Sequence, residues 1–343
     1  MKTKVAIIEL SHSHDECIYS QIQFLVSDGG YDVTVICNEI IHNRLKGNLD
    51  GVGVKIIEIR RGINLPFDII RLRSYIVRKK FDKVIFNTAT GNIIKLLMLL
   101  PFPKFIEFVG IIHNISKLSG SVNQDIISKK VNKYYVLSEY LKDNAPSKYN
   151  IEYFYPMFFP GTENLEIEKS NNEIWICIPG QIERRRRDYD GLFLQLSRNK
   201  LKENIKFILL GSGDTKYIKN NLEKLGIKGQ FVWWDSYVGT PIFENYIEKS
   251  DYILPLIHPH HESFTLYKNQ ISGTFNLAYG YGKPMLMEES LEGITDFKGI
   301  VFYKAEQLIE VLNTLQTAPI NPYNSERWSF ETQKNRFMDF LSK

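Results

Sequence analysis

Apolar positions fall in short unbroken runs, separated by longer stretches in which apolar residues recur every three or four positions. The first pattern is that of strands buried on both faces and the second that of amphipathic helices. Their alternation predicts an α/β chain of parallel sheets with crossover helices. Residues 5–10 predict the opening strand. Ser13, His14, Asp15 and Glu16 follow, an order that predicts a capping box in which Ser13 caps a helix and Glu16 reaches back. Ile18, Ile22 and Leu25 keep helical spacing until Gly29 and Gly30 end the helix ahead of a strand at 32–37. Further strands are expected at 54–59, 83–87, 105–112 and 133–137, which makes residues 1–160 one doubly wound domain.

Residues 153–161 are aromatic and broken by proline, and the polar stretch that follows extends the break, so a linker is expected at 161–172. The same pattern then restarts. Strands are predicted at 174–178, 206–210, 230–234, 252–256 and 284–287, with helices near 189–199, 215–225, 241–249 and 273–281. Thr240 before Pro241 reads as a helix cap and first helical residue. Residues 173–324 are thus expected to form a second Rossmann-like domain, and 325–343 a terminal helix packing across both. No internal repeat interrupts this plan.

Composition adds little beyond confirming a folded chain: of 343 residues, 43% are apolar and 24% charged, ordinary globular values. Cys17, Cys37 and Cys177 are odd in number and lack metal-ligand spacing, so they are expected to be buried core thiols in a reducing compartment. The apolar stretch 93–112 is broken by Lys95, Pro101, Pro103, Lys104 and Glu107, and no export signal opens the chain, so a cytoplasmic protein is expected. Charge is uneven, for residues 1–160 carry 21 Lys and Arg against 15 Asp and Glu. A basic first half favours an anionic partner, either a phosphate-bearing acceptor or the inner face of a membrane, unless it is simply a basic surface. Nucleic acid is not expected, because no basic block interleaved with aromatics appears apart from Arg184 to Arg187.

Open parallel sheets hold ligands beyond the carboxyl ends of their strands, so the loops there carry the candidate chemistry. Gly180 admits a ligand close to the backbone, and Arg184, Arg185, Arg186 and Arg187 follow it with guanidinium groups suited to a diphosphate. Four consecutive arginines point different ways, so one or two are expected to bind phosphate and the rest to be solvated. Gly211 and Ser212 mark a tight strand-to-helix turn, a weak signal alone. Ser272, Gly273 and Thr274 precede an apolar helix, whose free N–H groups suit a phosphate, against a bland reading as a simple cap. Asp235 and Tyr237 follow the strand expected to meet a nucleobase, and one of Trp233 and Trp234 is expected to line that pocket while the other joins the core.

His12, His14 and His113 lie beyond strand ends of the first half. Each is a candidate general base for an acceptor hydroxyl, or else a hydrogen-bonding group at a helix start. His258, His260, His261 and Glu262 crowd one loop, but Pro259 and the lack of helical spacing argue against a metal site. Contacts to sugar hydroxyls or a solvated loop are the expectations there.

Taken in order, the second-half motifs resemble the donor domain of bacterial family 4-like glycosyltransferases. The likeness rests on the basic loop within 176–190, the Gly-x-Gly turn within 207–214, the segments 231–237 and 250–255, and Gly282-Lys283-Pro284 within 278–285. Weaker likeness continues upstream at Ile112-His113-Asn114 and Val136-Leu137-Ser138. The resemblance implies a GT-B fold of two Rossmann-like domains and no metal or other cofactor, with a nucleotide-diphosphate sugar as co-substrate. The family's paired glutamates are missing: Leu277 and Asn269 stand at their places, and Glu262, in a lengthened loop, is the candidate substitute for the first. The glycine pair after the family's first strand is replaced by Ser11-His12-Ser13-His14.

The expected activity is sugar transfer to a glycan or lipid-linked acceptor in assembly of bacterial surface polysaccharide, lipopolysaccharide or capsule. Retention and inversion both remain open. The alternatives are a sugar-nucleotide epimerase of the same fold and a non-catalytic carbohydrate-binding relative.

Overall fold

A computed structural model describes residues 2–49, 52–59, 65–161, 163–294 and 300–343. Thr162, inside the expected linker, lies outside the described residues. The chain divides into two compact units, the first formed by 1–160, 269–271 and 329–343, the second by 161–268 and 272–328.

The first unit is built on a seven-stranded, wholly parallel sheet in the order β3-β2-β1-β4-β5-β6-β7. Its strands are β1 (Thr3–Glu9), β2 (Tyr31–Cys37), β3 (Lys55–Glu58), β4 (Lys83–Phe86), β5 (Glu107–Ile111), β6 (Val131–Val136) and β7 (Asn150–Tyr153). The helices between them are α1 (Glu16–Asp28), α2 (Glu39–Leu45), α3 (Leu65–Lys79), α4 (Asn92–Leu99), α5 (Val122–Ile127) and α6 (Glu139–Asp143). β1 sits centrally because its run of Val5, Ala6, Ile7 and Ile8 is buried to within 1%. Gly29 ends α1 in the left-handed conformation (φ 76°) that glycine adopts at little cost.

Two local expectations fail at element edges. The capping box does not form: α1 starts two residues later than Ser13 requires, with Asp15 at its N-cap making no side-chain cap bond, and Ser13 bonds Ser11 instead. His14 takes a left-handed φ of 71°, which turns the chain before the helix can begin. The aromatic stretch 153–161, read together with 162–172 as a domain break, starts on the last residue of β7: Tyr153 pairs with Val136 of β6, and Phe154 and Tyr155 beyond it are fully buried. Aromatic, proline-containing sequence resembled a linker here because the strand is only four residues long.

The second unit holds a parallel sheet in the order β10-β9-β8-β11 and a parallel pair β12-β13, with a bridge from Ile253 to Met285. Its strands are β8 (Ile174–Pro179), β9 (Ile205–Leu210), β10 (Phe231–Trp233), β11 (Tyr252–Ile253), β12 (Leu286–Glu288) and β13 (Val301–Tyr303). The helices are α7 (Tyr189–Arg198), α8 (Thr215–Leu225), α9 (Thr240–Lys249), α10 (Ser263–Tyr267), α11 (Gly273–Gly280) and α12 (Leu308–Leu312). The sequence reading passed over β13, three residues in a polar context. Thr240 is the first residue of α9 and Gly239 its N-cap, which corrects the expected Thr240 cap.

The last helix, α13 (Phe330–Ser342), belongs to the first unit. Phe337 stacks on Tyr135 with ring centroids 4.6 Å apart, and the Tyr135 hydroxyl donates to the Phe337 carbonyl. Phe337, Phe340 and Leu341 are buried there, each contributing about 1.5–3 kcal/mol by leaving water. All three cysteines are free and buried, and burial raises their thiol pKa values, so none is poised as a thiolate. Among the described residues no helix is long and apolar enough to cross a membrane.

Candidate functional sites

In each unit the strand order reverses beside the first strand, and the carboxyl ends of the two strands flanking that reversal bound a natural ligand site. In the first unit these strands are β1 and β4. Glu9, the last residue of β1, is fully buried and therefore needs partners. Its carboxylate accepts hydrogen bonds from the Ser11 N–H (2.6 Å), Asn87 Nδ2 (2.8 Å) and Thr88 Oγ1 (2.7 Å). Asn87 Nδ2 also donates to the His14 carbonyl at 2.8 Å, and Gln21 Nε2 donates to Asn87 Oδ1 at 2.7 Å.

This network fixes the turn that carries His14. The imidazoles of His14 and His113 stack 3.7 Å apart with an interplanar angle of 19°. His113 Nε2 lies 2.7 Å from the Asn87 carbonyl, which only accepts, so this nitrogen carries the proton and Nδ1 keeps its lone pair. Burial, and then the His14 charge, push His113 down to about 3. His14 moves the other way. Burial opposes its charge, but Glu16, 3.4 Å away, together with Glu9 and Asp15, lifts it above the ordinary histidine value. Burial likewise opposes the charge of Glu16, yet the hydrogen bond and charge of His14 hold that carboxyl below its usual range. Two stacked rings with pKa values driven apart give one titrating imidazole beside one that stays neutral.

His12, the third predicted histidine, is exposed, and its carbonyl accepts from Arg44 at 3.2 Å. Sequence reading found the histidines and missed Glu9, Asn87 and Thr88. A glutamate at the end of an apolar strand run was the signal for the first; nothing local marks the other two.

In the second unit the reversal falls between β8 and β11. Gly180 follows β8 with φ 97°, and a Cβ there would meet Arg187 Nη2 at 2.8 Å. Arg187 is 7% exposed and points inward, donating to the carbonyls of Pro255 (2.7 Å) and Pro179 and to Thr274 Oγ1 (3.2 Å). It therefore ties the ends of β8 and β11 to the start of α11. Arg184, Arg185 and Arg186 are exposed. Arg184 pairs with Asp190 at 2.8 Å and lies over the Tyr217 ring, while Arg185 and Arg186 share Glu183.

Gly211 and Ser212 follow β9, and Gly211 packs so closely on Gly180 that a Cβ would fall 2.1 Å from its carbonyl oxygen. The two loops pair in parallel through Ile182 and Gly213. Ser272 is buried at the N-cap of α11, where its hydroxyl accepts from the Thr274 N–H at 3.3 Å, and Gly273 is exposed beside it. The basic loop, the Gly211 turn and the small-residue helix start thus come together through Arg187 and Gly180. Among the described residues, Arg187 Nε, Tyr189 Oη and Asn276 Oδ1 are buried without a hydrogen-bond partner. Each such group costs about 1–3 kcal/mol.

Asp235 is exposed and pairs with Lys219 at 2.8 Å; Tyr237 is 69% exposed and Glu262 is exposed as well. Trp233 leans on the second unit's core, and Trp234 packs edge-on against Tyr246 of α9. The expectation that His258 and His260 do not converge is corrected. Leu256 adopts a left-handed φ of 56°, and beyond it both imidazoles reach the buried Asp188 carboxylate. A groove of about 750 Å³ opens elsewhere, between β3 and α3, and none of the predicted site residues lines it.

No protein-family model matches the chain, and no curated protein matches it. Solved structures do match along nearly its whole length. The crystal structure of Anabaena Alr3699/HepE in complex with UDP and glucose aligns over 99% of both chains at 13% identity and a TM-score of 0.65. The UDP-GlcNAc 2-epimerase from Neisseria meningitidis bound to UDP-GlcNAc aligns over 99% of this chain and 100% of its own, at 14% identity and 0.62. The lipopolysaccharide outer core galactosyltransferase WaaB aligns over 99% of both chains at 14% and 0.61. The fold is that of the GT-B glycosyltransferases and the UDP-GlcNAc 2-epimerases, two Rossmann-like units.

Proposed function

We propose that the protein is a glycosyltransferase that takes a sugar from a nucleoside-diphosphate donor bound by the second unit and transfers it to an acceptor bound by the first. One observation carries the reading. At the strand-order reversal of the second unit, exposed guanidinium groups at 184–186 stand on the same loop as Arg187, which is bonded to the start of α11. Guanidinium groups and free helix N–H groups together neutralise a diphosphate leaving group without a metal ion. Exchanging Glu183 and Asp190 for phosphate oxygens would cost the arginines little, because exposed ion pairs are weak. In the first unit, His14 supplies the base for an acceptor hydroxyl, held by Glu16 and the His113 ring.

We further infer a glycan or lipid-linked acceptor in bacterial surface polysaccharide assembly, with the first unit resting on an anionic membrane. Residues 65–106 hold eight Lys and Arg against two Asp. The same segment exposes Phe67 (63%), Ile70, Leu96, Leu99 and Phe105 (55%).

The reading is tested by thermal shift of the purified chain with UDP, GDP and a panel of nucleotide sugars. A raised melting temperature with at least one of them is expected; no shift with any would sink the proposal. A sugar-nucleotide epimerase is the second reading, favoured by the comparable likeness to epimerase structures. Product analysis with donor alone separates the two, since an epimerase changes the donor and a transferase waits for acceptor.

A further inference from the structure

Asp188 gathers ligating atoms outside the predicted phosphate contacts. Its Oδ2 lies 2.6 Å from His258 Nδ1 and 2.8 Å from His260 Nε2, and these atoms all lie within 4.8 Å of one another. Among the described residues no other group of three His, Cys, Asp or Glu side chains converges in this way. We propose that Asp188, His258 and His260 form a binding site for a divalent transition-metal cation of the zinc class.

Two imidazole nitrogens and one carboxylate oxygen are the donor set that borderline cations take in preference to magnesium or calcium. Each acceptor atom is already oriented. Asp188 Oδ1 accepts from the Gly191 N–H at 2.8 Å as the N-cap of α7, which leaves Oδ2 for the ion. His258 is 1% exposed, and its Nε2 lies 3.0 Å from the Tyr303 hydroxyl. A cation on Nδ1 places the ring proton on Nε2, where Tyr303 accepts it, the outer bond that normally fixes a ligating imidazole. The His260 side chain is 63% exposed, which supplies an entry path and an open side for water as a further ligand. Zinc–ligand bonds of about 2.0–2.1 Å hold tetrahedral ligand atoms about 3.3 Å apart, so each imidazole nitrogen needs to move away from Asp188 Oδ2 by only about 0.5–0.7 Å.

The backbone is bent to make this convergence. Leu256 holds its left-handed φ of 56°, a conformation strained for any residue that carries a side chain. Pro259 fixes the chain between the two imidazoles, and the His258 carbonyl accepts from the His261 N–H at 3.0 Å to close the turn. The site requires no nucleotide, so it stands or falls separately from the transferase reading.

The test uses the full chain, stripped with chelator and titrated with Zn²⁺ by calorimetry and with Co²⁺ by visible absorption. One equivalent per chain is expected, with cobalt bands of nitrogen and oxygen ligation. His260→Gln, at an exposed side chain, is expected to abolish uptake while leaving far-UV circular dichroism and the metal-free melting temperature unchanged. Tyr303→Phe is expected to weaken binding about tenfold. His12→Gln, in the first unit, is expected to bind as the parent does. Failure of the stripped chain to take up one equivalent overturns the proposal. So does a His260→Gln variant that binds as tightly as the parent, the result if the imidazoles merely hydrogen-bond to Asp188.

Discussion

The imidazole of His14 lies 3.7 Å from that of His113 in a near-parallel stack, and the two are pushed to opposite sides of the ordinary histidine pKa. The stack places a chargeable ring on a neutral one. It also separates two roles that sequence position alone assigned equally to both histidines.

If His14 is the proton acceptor, His14→Gln is expected to lower turnover by about 10²- to 10⁴-fold with little change in donor KM. The rate should rise with pH through a value above 6.5, the ordinary histidine pKa, because only the neutral ring accepts a proton. A variant with an unchanged pH–rate profile would remove His14 from the mechanism.

His113 gives a stability prediction. Its folded pKa is depressed from 6.5 to about 3, so its contribution is fully present above 6.5 and is lost as pH falls toward about 3. Urea midpoints measured across that window should fall less steeply for His113→Gln than for the parent. Parallel curves would show that the ring does not carry this linkage.

The four arginines should separate cleanly. Arg187→Ala leaves the carbonyls of Pro179 and Pro255 without their donor and is expected to cost about 2–4 kcal/mol in denaturant unfolding. Alanine at 184, 185 or 186 should stay within about 0.5 kcal/mol of the parent. If these three contact the donor, their combined replacement should shrink the nucleotide-induced thermal shift.

Close backbone packing makes Gly211 irreplaceable. Gly211→Ala drives a Cβ into the Gly180 carbonyl and is expected to destabilise the fold by about 1–3 kcal/mol. Gly229→Ala meets nothing within 4 Å and serves as the neutral comparison. Equal melting temperatures for the two variants would contradict the packing described.

Sedimentation with vesicles rich in anionic lipid tests the membrane reading. Binding should weaken in high salt and with Arg71→Glu and Lys79→Glu, at about 1 kcal/mol for each basic charge removed near the surface. Indifference of binding to both salt and charge reversal would exclude an electrostatic membrane surface.

The sequence by itself determined the α/β class, the two-unit plan and most strand positions, because apolar runs and helical spacing are local consequences of burying one face of each element. It also brought the glycines, the arginine run and the Ser272 helix start to notice, since these are conformational or charge requirements readable at single positions. It did not reveal which arginine turns inward, that Ser13 fails as a cap, or that Asp188 meets His258 and His260. Those depend on a left-handed turn at His14 or Leu256 and on strands far apart in sequence becoming neighbours. Only tertiary structure decides partners of this kind, because a buried charge is satisfied by whatever the fold brings within about 3 Å, and no local pattern encodes that meeting.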